Sequence, residues 1–128
     1  MDERTTEILN RFHNSWTEVE KYFDDLIDNY PGFERLRSVR HFITELKEKG
    51  ESNFFRLGTS IHILILSRSA ENGLRPDQKH IKIDTIADND FEVTLKDRDR
   101  VYRQYRISNL NDVRLTNLIQ TLKHTLVD

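Results

Sequence analysis

The 128-residue chain contains no cysteine, which excludes disulfides, Cys-ligated zinc, iron–sulfur clusters and thiol nucleophiles. Proline and glycine are scarce, with two and four residues, and the apolar residues come in periodic blocks, which argues against a disordered chain. The longest apolar run, Ile63–Leu66, falls far short of the ~20 residues needed to cross a bilayer. The opening Met1-Asp2-Glu3-Arg4 has neither the basic n-region nor the apolar h-region of a secretory signal. A net charge of −2 provides no global field toward nucleic acid or an anionic membrane. Gly32, Gly50, Gly58 and Gly73 are isolated from one another, so no phosphate-cradling G-x-x-x-x-G-K or G-x-G-x-x-G loop exists. These absences describe a cytoplasmic chain without a membrane span, of a length that suits one domain over 1–128.

Charged residues make up 33% of the chain and apolar residues 36%, so a small or elongated core is expected. Ile8, Phe12, Trp16, Val19, Phe23, Leu26 and Tyr30 recur at steps of three and four, the stripe of one long amphipathic helix. Asn29-Tyr30-Pro31-Gly32 breaks it. Leu36, Val39, Ile43 and Leu46 then mark a second helix from about Phe33, closed by Gly50. The short link predicts an antiparallel helical hairpin over residues 1–50.

From Asn53 the period changes to two. Phe54–Leu57 and Ile61–Arg68 read as one bent strand or as two strands, with Gly58-Thr59 as bulge or turn. Lys79–Ile86, Phe91–Lys96 and Val101–Ile107 alternate polar and apolar residues, and Asp88–Asp90 and Asp97–Asp99 supply the turns. The expected architecture is α+β: a helical hairpin, an antiparallel meander of four to five strands over 53–107, and a C-terminal helix over 109–127 packed on the sheet. Ser108-Asn109 or Asn111 is its expected cap.

The candidate chemistry is sparse, and each motif has a plain structural explanation beside the functional one. His41 and Glu45 share a helix face, and Glu20, Asp24 and Asp28 form a carboxylate row on the first helix. The two rows together could bridge a metal, or could equally make solvated faces; no H-E-x-x-H or E-x-x-H signature accompanies them. His62, or His80 oriented by Asp84, has the chemistry of a general base, with Ser60, Ser67 and Ser69 nearby in sequence. No serine sits in a G-x-S-x-G elbow. This pattern supports, at most, a small hydrolase or metal-dependent enzyme. No catalytic residue, metal ligand or cofactor is assigned from it.

Lys96–Arg106 holds five positive and two negative charges with two tyrosines between them. Strict alternation puts Arg100, Tyr102, Gln104 and Arg106 on one face, an arrangement suited to stacking bases and holding phosphates. Cross-strand pairing with Glu92 accounts for the same residues. The loop Ser69–Asp77 exceeds what a hairpin needs, and its tip, Leu74 and Arg75, is a candidate partner contact.

In Ile61–Leu66 both alternating sets are apolar. With Ile61, Ile63 and Ile65 assigned to the core, Leu64 and Leu66 fall on a second face with Tyr102 at its edge, and such patches mark interfaces. The expected function is therefore a non-catalytic protein-binding module of adaptor, chaperone or immunity type, most simply a homodimer. A nucleic-acid-binding protein using Arg100–Arg106 is the alternative.

Overall fold

The computed structural model describes residues 2–69 and 78–124. Helix α1 spans Glu3–Asn29 and is started by Asp2, whose carboxylate accepts the Thr5 N–H at 2.8 Å. This satisfies one of the donors that a helix start leaves open. A 3₁₀ turn at Glu34–Leu36 leads into α2, Arg37–Glu48. The second helix thus begins later than its apolar pattern suggests. No side chain caps Phe33, and the first turn tightens onto the Leu36 N–H to Phe33 carbonyl bond, 3.0 Å. Gly50, at φ 81°, takes up the left-handed conformation past the end of α2.

Five strands follow, β1 Arg56–Ser60, β2 Ile63–Ser67, β3 His80–Ala87, β4 Asp90–Asp97 and β5 Arg100–Ile107, then α3, Val113–Lys123. They form one antiparallel sheet in chain order β1-β2-β3-β4-β5. Asp112 is the residue that caps α3, accepting the Arg114 N–H at 2.9 Å. No helix among the described residues is long and apolar enough to cross a membrane.

Phe54–Arg68 is a hairpin, but its turn is not at Gly58-Thr59. Gly58 and Thr59 lie inside β1, opposite Ile65 and Leu64, and Ile61-His62 makes the turn. Ile61 has φ 58°, a conformation that β-branched residues resist because of Cβ crowding, so nothing local in the sequence marks it.

The register decides which face of β2 is the core. Leu66 sits between Leu57 and Ile81, and Leu64 pairs with Ile83, which pairs in turn with Val93. These residues share one cluster with Trp16, Phe23, Ile43, Leu118 and Leu122, so α1, α2 and α3 all pack on that face. The reading of Leu64 and Leu66 as an exposed interface is therefore wrong: both are fully buried. A period of two separates two sets of residues without saying which set faces inward, and a shift of one residue exchanges them. Ile63, Ile65 and Ser67 occupy the other face.

Candidate functional site

The two edges of the sheet are treated differently. Along β1, α1 lies against the outer backbone. Ser15 Oγ accepts the Leu57 N–H at 3.0 Å and donates to the Phe12 carbonyl at 2.6 Å. Trp16 Nε1 donates to the Phe55 carbonyl at 2.8 Å, and the Tyr22 hydroxyl donates to the Ile61 carbonyl at 2.6 Å. Helix side chains thus satisfy one outward backbone group of β1, at Leu57, and a carbonyl on either side of the strand, at Phe55 and Ile61, which an open edge would offer to another strand.

At the opposite edge, no described strand or helix pairs with the outer side of β5. Seven of its eight residues are exposed or half-buried, with Val101 54% and Tyr102 46% accessible. Arg100, Arg103 and Arg106 are its only charges.

The four residues Arg100, Tyr102, Gln104 and Arg106 do not share a face, which corrects the expectation from alternation. Leu95 pairs with Arg103 but Lys96 pairs with Val101, leaving Tyr102 as the extra residue of a bulge. Arg100 consequently lies opposite Asp97, on the side carrying Leu95, whereas Gln104 and Arg106 lie opposite Thr94 and Glu92 on the other side. Arg106 is held by Asp90 through two bonds of 2.6 and 2.8 Å, which keep the Asp90 carboxyl below its usual range and push the guanidinium up. The Tyr102 ring lies 4.5 Å from the Arg103 guanidinium and 6.0 Å from Lys79 Nζ. Leu74 and Arg75 lie outside the described residues.

The remaining candidates are dispersed. Asp84 pairs with His62, at 3.1 Å, and not with His80. His80 Nδ1 meets the Gln78 carbonyl at 2.9 Å; burial, with Lys82 and Lys96 nearby, lowers the pKa of its imidazole. Ser67 Oγ donates to Gln78 Oε1 and accepts the Ser69 N–H, so among the described residues no serine hydroxyl bonds either histidine. Glu20 and Asp24 of the carboxylate row on α1 are engaged across the helical hairpin: Glu20 binds Arg40 at 3.2 Å and Lys47 at 2.8 Å, and Asp24 binds Arg40 at 2.8 Å. His41 pairs with Glu45, at 3.2 Å. No group of three His, Asp or Glu suited to a metal occurs among the described residues. A cleft between α2, the β3–β4 turn and the link to α3 has His41, Glu45 and Asn89 over Phe42 and Phe91. It encloses about 200 Å³, less than the ~300–1,000 Å³ typical of small-molecule sites.

Sequence reasoning missed the role of Ser15, Trp16 and Tyr22 in sealing β1. Their only signal was three polar groups along one side of α1, and the partner backbone is about 40 residues away. No family model, curated protein or solved structure matches this chain.

Proposed function

We propose that this protein is a non-catalytic protein-binding module that takes an extended, acidic segment of a partner along the outer edge of β5. The observation that carries this reading is the contrast between the edges: α1 packs along β1, while no described strand or helix pairs with the outer side of β5. Strand addition uses main-chain hydrogen bonds for affinity and alternate side chains for selectivity. Arg100 and Arg103, with no carboxylate on their own strand, favour an acidic segment. The bulge at Tyr102 and the arginines also restrain indiscriminate edge pairing, which suits a selective partner.

A homodimer is the second occupant considered for this edge. The leucines of β2 give it no support, because both are buried. Two β5 strands laid side by side would also bring six arginines into adjacent strands, an unfavourable like-charge arrangement. Nucleic-acid binding has less support than strand addition, because Arg106 is committed to Asp90 and the arginines divide between two faces.

The test is selection from a displayed library of random linear peptides, followed by chemical-shift mapping on labelled protein. Enriched peptides are expected to be acidic and β-prone, and to perturb the amides of residues 100–107. Arg100→Glu with Arg103→Glu should weaken binding at least ~10-fold, the effect of losing about 1.4 kcal/mol. Peptides without acidic bias, or shifts mapping away from β5, overturn the proposal. So does concentration-dependent self-association through β5 measured by sedimentation.

A further inference from the structure

Ile61 stands where its side chain is least suited to the backbone. It opens the two-residue turn between Ser60 and Ile63, and such hairpin turns favour glycine or asparagine at positive φ. Ile61 holds φ 58° with 75% of its surface exposed. A β-branched side chain in that conformation destabilises the fold and gains almost no burial in return.

Both residues of the turn are nevertheless tied down. From α1, the Tyr22 hydroxyl donates to the Ile61 carbonyl at 2.6 Å, and His62 Nε2 meets the Asp84 carboxylate of β3 at 3.1 Å. Tyr22 is 38% accessible and its ring stands edge-on to the buried Phe23, with centroids 5.9 Å apart. Tyr22 and Ile61 therefore form an exposed apolar pair whose geometry is set within the free protein, so little ordering remains to oppose a binding event.

The surroundings of this pair are acidic. From Thr17 to Asn29, α1 has five acids and Lys21 as its one base. Glu20 and Asp24 face Arg40 across the helical hairpin, whereas Asp25 lies one helical turn beyond Tyr22. On the sheet side of the turn, Asp84 and Glu92 are directly opposite each other on adjacent strands. Like charges so placed repel, and a cation brought beside them relieves the repulsion. Arg106, opposite Glu92, is held by Asp90 through two bonds.

We infer that Ile61 and Tyr22 anchor a second docking surface, for a protein partner that presents an apolar pocket bordered by lysine or arginine. The apolar pair enters the pocket, and Asp25, Asp84 and Glu92 meet its basic border. A side chain kept at the expense of local stability is accounted for when it acts outside its own fold. The β1–β2 turn and β5 lie at opposite edges of the sheet, and the two surfaces select contacts of opposite charge. The protein then joins two different partners. The turn surface does not depend on the β5 proposal, and either can fail alone.

The test is photo-cross-linking from p-benzoylphenylalanine placed at Lys21, next to Tyr22, in cells of the natural source, with the partner's joined peptide read by mass spectrometry. A discrete protein adduct is expected, and its joined peptide should be apolar with flanking lysine or arginine. Ile61→Val should keep the adduct. Ile61→Gly should reduce it at least ~10-fold while raising the thermal midpoint of the purified protein, a combination that a purely structural role does not produce. Asp25→Asn with Glu92→Gln, which leaves both ties of the turn intact, should also reduce the yield. Absence of an adduct, a yield undiminished by Ile61→Gly, or a joined peptide without basic residues overturns the proposal. A lowered thermal midpoint in Ile61→Gly does so too, because Ile61 would then serve the fold. An adduct lost with Arg100→Glu and Arg103→Glu overturns the separation of the two surfaces.

Discussion

Trp16 donates its indole N–H to the carbonyl oxygen of Phe55 at 2.8 Å, and the two rings lie 5.5 Å apart at a tilt of 38°. One side chain of α1 therefore fills the core and closes a backbone acceptor just ahead of β1. The packing and the hydrogen bond have separate energetic signatures.

Trp16→Ala is expected to cost about 3–5 kcal/mol, the range for deleting a large buried aromatic side chain. Trp16→Phe keeps part of the packing but loses the bond, and should cost about 1–3 kcal/mol from the unsatisfied carbonyl. Urea unfolding of both variants measures the difference. Native tryptophan fluorescence should be blue-shifted, because Trp16 is fully buried.

Leu64 and Leu66 lie in the core, so a charge at either position has no solvent to reach. Leu66→Ala should cost about 2–5 kcal/mol. Leu64→Glu with Leu66→Glu should abolish the cooperative unfolding transition. A folded double variant with wild-type circular dichroism would refute the register described for β2.

Ile61 is 75% accessible and holds φ 58° at the β1–β2 turn. Its side chain gains little from burial, while its backbone bears the cost of a left-handed conformation. Ile61→Gly should therefore stabilise the protein by about 1 kcal/mol. A lowered thermal midpoint in this variant would show that the side chain contributes packing not evident from its exposure.

Burial depresses the His80 imidazole below its ordinary 6.5, and Lys82 and Lys96 add to the effect. The unfolded chain then takes up a proton that the folded chain resists. The resulting contribution to stability is complete above about pH 6.5 and is lost as pH falls below it, until the folded imidazole is itself protonated. Stability of the wild type should decline on acidification from pH 7 by no more than ~1.4 kcal/mol per pH unit from this group. His80→Gln should flatten that slope in denaturant titrations.

What the sequence determined by itself was the local order. The apolar stripe from Ile8 to Tyr30 specified α1 because its residues meet along one side of the same helix. Asp88–Asp90 and Asp97–Asp99 marked two turns through polar residues that tolerate tight backbone geometry, and the last three strands followed to within about a residue. The α+β order followed from those elements.

Only the tertiary structure decided how the elements face one another. Both alternating sets of β2 are apolar, so the pairing of Leu66 with Leu57 and Ile81 was needed to send the leucines inward. The bulge at Tyr102 divides the arginines of β5, and Asp84 and Glu92 meet only once β3 and β4 are in register. The sealing of β1 joins residues about 40 positions apart. Periodicity reflects energies between near neighbours along the chain. Register, bulges and edge cover are set by contacts distant in sequence, where many pairings satisfy the same local pattern and the packing of the whole core selects one.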